Sequence, residues 1–555
     1  MMHRGLFAFL SSRFLPAMGE TLEKACAPGR SAMRQHGKLG IRALAALIAL
    51  LCFGAEVLGS AAGVGAQTQS PTWSVPIPLS NIASSSWFPD ITADATGRLH
   101  VVWASTVERK PPPGTPLGTE RPTSYDVVEY TSSLDGTDWA EPNEIIAFRQ
   151  VNGGSIATRP SLLADPNGTL HLAMVNFDVQ YSRARIDRAS DAGSWTTPVK
   201  ISTNGDGYYS SLARDSQGIV HIAFTQNLAS LNCAICYHVL VRSSADGGAN
   251  WSNLTDVSVL PQGAAKPKQL VDDAGGLHLV WEAGQGGGLG QVQDPTSVMH
   301  ASSVDGGKIW MLPYQFPSPG GRARNISIGM DGDGRLIVVW LGLPSQQIYT
   351  SISEDNGLSW SSPFPIEGIV GYDTRLDDTT VATDSAGNIH LVTVGWVDAE
   401  QTQLGLFHAV WHADTSTWSS PDIVVSYSGD APEWPRLAIS EGNKLNVVWF
   451  VRDAAHIFDS ENGRYQIWFA QATVEAPSVP ARNLPTPTVT PNLLPPTDEP
   501  RISTPTAAPD LAGTNLTLAL KPVDNENSVL LIVAKSLVIP IALLILALAY
   551  IRYRH

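Results

Sequence analysis

From about residue 67 to residue 475 the chain alternates apolar and polar positions in short runs rich in β-branched and aromatic residues, and tight polar turns separate the runs. One unit recurs: an apolar strand, a turn of the form Asp-x-x-Gly, and a second strand of the type Leu-His-Val-Val-Trp. "FPDITADATGRLHVVW" shows it first, with its turn at Asp94, and further copies turn at Asp165, Asp215, Asp272, Asp331, Asp384 and Ser440. A Gly three residues after the Asp, or Asn443 in the last copy, permits the positive φ of a hairpin turn. A third strand, as in "QIYTSIS" from Gln347, and a fourth that opens with Trp complete each unit.

A period of roughly 50 to 70 residues belongs to propellers and solenoids. Four-stranded units repeated in this way predict an all-β fold, a seven-bladed β-propeller over 67–475. The seventh unit lacks a fourth strand and runs straight on into Pro-rich sequence. The opening segment "PTWSVPIPLS", residues 71–80, has the Trp and Pro spacing of a fourth strand, so it is expected to join the last unit and close the ring.

The tight turn before the fourth strand carries the most specific motif. "SADGGANW" (Ser244, Asp246, Gly248, Trp251), "SVDGGKIW" (Ser303, Asp305, Gly307, Trp310) and "SEDNGLSW" (Ser353, Asp355, Gly357, Trp360) all fit S-x-D-x-G-x-x-W. "SLDGTDW", "SDAGSW" and "ADTSTW" are shortened versions. The motif resembles the Asp-box (BNR) repeats of the sialidase-like β-propellers. Its residues read as structural: the Asp accepts backbone N–H bonds, the Gly supplies φ freedom, and the Trp fills the space beneath. The resemblance implies a reaction that uses three arginines on a sugar carboxylate, a Tyr paired with Glu, and an Asp acid. The Arg-Ile-Pro signature of that family's first blade is missing, since Phe88-Pro89 stands there, and no catalytic residue is carried over. Sialidases are six-bladed, a further departure.

Alternation along each innermost strand predicts which side chains face the axis. An inner ring comprises Asp90, Ser161, Ser211, Lys268, Ser327, Thr380 and Arg436, and a mouth comprises Phe88, Arg159, Tyr209, Lys266, Asn325, Asp378 and Trp434. Together they describe a polar well with aromatic lips, suited to a sugar or an acidic group, in which Asp90 is expected to neutralise Arg159 and Arg436. Asp90, Arg159, Tyr209, Lys266, Lys268, Asp378, Trp434 and Arg436 are the candidate ligand-binding residues. His100, His171, His221, His278 and His390 occupy one equivalent position per unit, too far apart around a ring to share a metal, and read as packed core histidines. The long segments Ser105 to Ser124 and Glu282 to Ser297 read as loops on the functional face.

Charge and the chain ends narrow the class. With 36 Lys plus Arg against 51 Asp plus Glu the chain is acidic, which argues against a nucleic-acid partner. Cys233 and Cys236, in "NCAIC", read as a small loop disulfide, and no metal or cofactor is expected. Residues 1–66 read as an extension and secretory signal with a start at Met33, 476–527 as a Pro/Thr-rich stalk, 528–551 as a transmembrane helix, and 552–555 as a cytoplasmic tail. These readings predict a single-pass membrane protein with an extracellular propeller. It would act as a binding or scaffold module for a glycan or surface protein rather than as an enzyme, with an exo-glycosidase of sialidase type as the alternative.

Overall fold

The computed structural model describes residues 70–484, apart from 83–84, 111–122, 151–157, 204, 230–232, 260–261, 287–291, 375–376 and 454–464. The chain divides into two compact units, Met1–Thr486 and Pro487–His555, and every described residue belongs to the first. The signal region, most of the stalk, the 528–551 segment and the tail lie outside the described residues. Among the described residues no helix is long and apolar enough to cross a membrane, and the expectation of a single-pass membrane protein is withdrawn.

The described chain is almost wholly antiparallel strand and forms a β-propeller. The innermost strands, from Ser85–Ala93 through Ser161–Ala164, Gly207–Arg214, Gly263–Val271, Arg322–Met330 and Thr380–Thr383 to Asp430–Ser440, each touch the next, and the last touches the first. The sheet count corrects the expectation of seven blades. Five sheets are separate and four-stranded, while the fifth and sixth repeat units are hydrogen-bonded into one nine-stranded sheet. The join is made where Phe364–Gly371 runs past its own unit, so that Val370 pairs with Trp396 and Gly371 with Gly395. A side chain on Gly371 or Gly395 would collide with Leu341 or with the Val370 carbonyl, and their bareness lets the two strands approach.

The opening segment pairs antiparallel with Tyr465–Thr473, Ile77 opposite Phe469 and Pro78 opposite Trp468, and so completes the last four-stranded sheet. Residues 476–484, placed by sequence in the stalk, lie across the Asp-x-x-Gly turns. The Val479 amide donates to the Glu441 carbonyl (2.7 Å), the Arg482 amide to the Ala95 carbonyl (2.7 Å), and Leu484 packs near Gly168. The two long segments read as loops have strand at both of their described ends, where Leu99–Arg109 pairs with Thr123–Ser133 and Leu277–Gly286 with Val292–Ser303; residues 111–122 and 287–291 between them lie outside the described residues.

The turns show why the repeat needs its polar residues. Asp94 Oδ1 accepts the amides of Thr96 and Arg98 (2.8 and 3.1 Å), and its Oδ2 meets His100 Nε2 at 3.2 Å. The same pairing recurs as His171 with Asp165, His221 with Asp215, His278 with Asp272 and His390 with Asp384. Where Ile337 replaces the histidine, Trp411 Nε1 and Arg335 Nε donate to Asp331 Oδ2 instead, at 3.0 and 2.7 Å. Burial holds His100, His221, His278 and His390 below the ordinary imidazole range.

The three S-x-D-x-G-x-x-W turns are built alike. Ser244 Oγ donates to Asp246 Oδ1 (2.7 Å) and accepts the Gly248 amide (2.7 Å), while Asp246 Oδ1 takes the amides of Ala249 and Asn250. Ser303, Asp305 and Gly307 repeat this network, as do Ser353, Asp355 and Gly357. Trp251 packs edge-on against Tyr181, Trp360 edge-on against His300, and Trp310 donates its indole N–H to the Gly307 carbonyl. Cys233 and Cys236 are both thiols, so the expected disulfide is not formed. Cys233 Sγ donates to the Ile235 carbonyl (3.5 Å), and Cys236 is buried with its amide on Asn227.

Candidate functional site

The innermost strands carry a shared irregularity at the end away from the Asp-x-x-Gly turns. Phe88, Arg159, Tyr209, Lys266, Asn325 and Trp434 all have positive φ, between 33 and 56°. A register shift lies between Trp87 and Asp90, Tyr208 and Ser210, Ala265 and Lys268, Arg324 and Ser327, and Glu433 and Arg436. Each is a bulge, with an extra residue whose side chain is re-aimed. Pro89, Pro160, Pro267 and Pro435 follow four of these residues and cost nothing there, because a bulged position has no ladder partner for the missing N–H.

The bulged side chains fill the axis rather than forming open lips, which corrects the expected mouth. Phe88, Arg159, Tyr209, Lys266, Asn325 and Trp434 are all buried. Trp434 stacks on Tyr209 (centroids 6.0 Å apart, planes 14° apart) and meets Phe88 edge-on at 5.1 Å. The Arg159 guanidinium lies over the rings of Phe88 and Tyr208, at 4.2 and 4.4 Å. Aromatic rings and cations thus form a plug held by cation–π and ring–ring contact.

Beside the plug lies an axial cavity of about 280 Å³. All eight candidate residues, Asp90, Arg159, Tyr209, Lys266, Lys268, Asp378, Trp434 and Arg436, line it, together with the hydroxyls of Ser161, Ser211, Ser327 and Thr380. Phe88 and Asn325 do not. The charge pairing differs from the expectation centred on Asp90. Asp378 serves two cations, taking Lys268 Nζ on Oδ1 (2.7 Å) and Arg436 on Oδ2 (2.9 Å). Burial by itself would raise the Asp378 carboxyl, but Lys268, Arg436 and Lys266 together hold it below the ordinary carboxylate range. Arg159 is turned into the plug.

Asp90 is held by the backbone amides of Leu162 (2.7 Å) and Ile91 (3.0 Å), with Arg436 Nε no closer than 3.9 Å. Burial pushes its carboxyl up to about 6, and Arg436 offsets this only in part. Burial also brings the Lys268 ammonium down to about 8, against the pull of Asp378. The well therefore holds one firmly ionised carboxylate, one carboxyl poised near neutrality, and two cations. Arg436 lies over the Trp434 ring at 4.4 Å, so the cavity presents guanidinium and hydroxyl groups rather than a bare aromatic face.

Sequence reasoning missed the residues behind the plug. Lys266 pairs with Glu282 (3.2 Å) and donates to Asn325 Oδ1 (2.8 Å), and Glu433 pairs with a buried Arg452. Burial raises Glu433 to about 7 despite Arg452, and raises Asp377 well above the carboxylate range with Glu433 adding to the effect. The signal available was a Glu in the apolar run "DAPEWPRLAIS". Among the described residues no group of three or more His, Cys, Asp or Glu is placed to hold a metal ion.

No protein-family model matches the chain, and no curated protein matches it in sequence. Several solved structures resemble it in arrangement. A protein of unknown function from Dyadobacter fermentans is 12% identical, with 73% of this chain and 99% of that chain covered and a TM-score of 0.45. The NanB sialidase of Streptococcus pneumoniae is 11% identical, covering 73% and 70%, with a TM-score of 0.40. A family PL25 ulvan lyase is 12% identical, covering 74% and 98%, with a TM-score of 0.45. Function is accordingly read from this chain's own residues.

Proposed function

We propose that the chain is a glycan-binding propeller that takes an acidic sugar unit in the axial well. One observation carries the reading: Lys268, Arg436, Asp90 and Asp378 converge with Ser161, Ser211, Ser327 and Thr380 on a cavity of about 280 Å³, near the small end of the range for ligand sites. Arg436 can offer a planar fork to a carboxylate, and the hydroxyls can exchange hydrogen bonds with sugar hydroxyls. We read the three S-x-D-x-G-x-x-W turns as Asp boxes, supported by their common Ser–Asp–Gly network.

Hydrolysis of sialidase type is the second reading, and Asp90 is the observation in its favour, since a carboxyl near 6 suits a general acid. Tyr209 does not suit the nucleophile's role: it is stacked under Trp434, and burial pushes its hydroxyl far above the ordinary range.

The test is a titration of the full chain with glucuronic, galacturonic and sialic acid units and with their neutral parent sugars, followed by tryptophan fluorescence. Acidic units should bind, and Arg436→Ala should weaken them at least tenfold. Binding of neutral and acidic sugars with equal affinity, or no effect of Arg436→Ala, would sink the proposal. Release of a fluorophore from sialosides by the same protein would favour the hydrolytic reading.

A further inference from the structure

A hydrogen-bond chain runs through the sixth repeat unit that the fourth has only in part. In the fourth, His278 lies between Asp272 (Nε2 to Oδ2, 3.2 Å) and His300 (Nδ1 to Nε2, 3.2 Å), and among the described residues no carboxylate pairs with His300. Two neutral imidazoles satisfy that arrangement, and burial with His278 alongside pushes His300 down to about 3. In the sixth unit the chain continues to a second carboxylate. His390 Nε2 meets Asp384 Oδ2 at 3.1 Å, His390 Nδ1 meets His408 Nε2 at 2.9 Å, and His408 Nδ1 meets Asp422 Oδ1 at 2.8 Å.

Three contacts of this length need three protons between their heavy atoms, and two neutral imidazoles bring only two. Without a third, a nitrogen lone pair would face either a carboxylate oxygen or the other ring's lone pair in a site where both rings are buried. The end groups are fixed as acceptors. Asp384 takes the amides of Ala386 and Asn388 and the Asn388 side chain, and Asp422 Oδ2 takes the Trp73 indole N–H at 2.8 Å. The Trp73 ring also meets His408 edge-on at 5.4 Å.

We propose that the His390–His408 pair holds one extra proton between Asp384 and Asp422, and that this charged chain is a pH-sensitive latch fastening the N-terminal segment at Trp73. The segment is the one that pairs at Ile77 and Pro78 with the last unit, so the latch ties the sixth unit to the strand that closes the ring. The groups facing the pair are Asp384 and Asn388 from the turn, His412 from the third strand, Asp422 from the fourth, and Glu475 beyond the seventh unit's third strand, which lines the same cleft. Burial, His408 and His412 press the His390 imidazole down, as burial does to His100, His221 and His278 in other units, and Asp384 pulls it up. The third proton is assigned from the three contacts of 3.1, 2.9 and 2.8 Å, which two neutral rings cannot fill.

The direction of the pH effect follows from linkage. An imidazole in the unfolded chain titrates near about 6.5. A folded pair that keeps its third proton above that pH binds more protons than the unfolded chain, so the latch is fully engaged below about 6.5 and is lost as pH rises through the folded midpoint. Loss of the proton leaves one contact unfilled; where that contact is His408 Nδ1 to Asp422, a lone pair repels the carboxylate whose other oxygen holds the Trp73 indole.

Nitrogen-15 NMR of histidine-labelled full chain from pH 5 to 9, with timed proteolysis of residues 70–76, tests the latch. One imidazole pair should keep three N–H protons at pH 7 and lose one at higher pH, and cleavage should accelerate several-fold over the same interval. Asp422→Asn should abolish the extra proton and make cleavage independent of pH, while His300→Asn should alter neither. Two protons on the pair at pH 7, or equal cleavage at pH 6 and pH 9, would overturn the proposal. If Asp422→Asn does not fold, the unmodified chain's titration decides alone.

Discussion

At Gly248 the fold depends on the absence of one atom. Its φ is +92°, and a Cβ there would come within 2.2–2.3 Å of the Tyr181 ring, which is buried and bonded to the Gly247 carbonyl. Gly306, at the matching turn one unit on, also has positive φ but nothing within 4 Å. Gly306→Ala should therefore cost only the left-handed backbone penalty, about 1–2 kcal/mol. Gly248→Ala should cost that plus overpacking against a ring that cannot yield, about 2–5 kcal/mol together. Denaturant unfolding of the two variants compares them directly, and equal losses would mean that Tyr181 does not fix the turn.

Asp90 carries a pH prediction at the same scale. Its carboxyl is raised from 3.8 to about 6, so the folded state holds a proton that the unfolded state has released. Stability should accordingly fall as pH rises from about 4 to 6, by at most about 3 kcal/mol at 1.36 kcal/mol per unit. Asp90→Asn should flatten that part of the stability profile. It should not restore all of the loss, because an amide oxygen replaces only one of the two acceptors used by Leu162 and Ile91. An unchanged slope between pH 4 and 6 would assign the titration to another group.

Among the elements, the bulge separates what the sequence revealed from what it hid. Period-2 alternation brought Asp90, Lys268, Asp378 and Arg436 to one cavity because it depends only on which face is apolar. It set Phe88, Tyr209 and Trp434 at the axis as open lips and did not reveal that they pack on one another and close it, since a bulge inserts a residue without disturbing composition. The trace it left was the Pro after four of the bulged residues. The merging of the fifth and sixth units was hidden for a similar reason: it rests on close backbone approach at Gly371 and Gly395, and a bare glycine looks the same in any strand. Trp434→Ala would remove the ring shared by Tyr209, Phe88 and Arg436. It should cost about 3–5 kcal/mol and enlarge the axial cavity. Calorimetry would show the loss, and a cost below 1 kcal/mol would mean that the plug collapses onto the gap.

The whole ring is held shut in two places by two different parts of the chain. The N-terminal clasp pairs Ile77 and Pro78 with the last unit, adds the Leu79 amide on the Ile467 carbonyl (2.8 Å), and reaches Asp422 through Trp73. The second clasp is residues 476–484, which cross the turns from Glu441 in the seventh unit to Ala95 in the first and bring Leu484 near Gly168 in the second. They act on different seams: the first completes the four-stranded sheet of the last repeat unit, and the second bridges that unit to the first. A ring with one clasp removed is still a ring, because the innermost strands remain in contact and the other clasp limits their separation. Removing residues 70–80, or replacing Val479 and Leu484 by Asp, should each lower stability and expose its own seam. Hydrogen exchange should accelerate first in Tyr465–Thr473 after the deletion and in the turns at Ala95 and Glu441 after the substitutions. Combined, the changes should cost more than their sum, since only the double variant lets the first and seventh units part. Strict additivity would mean that the innermost strands close the propeller without either clasp.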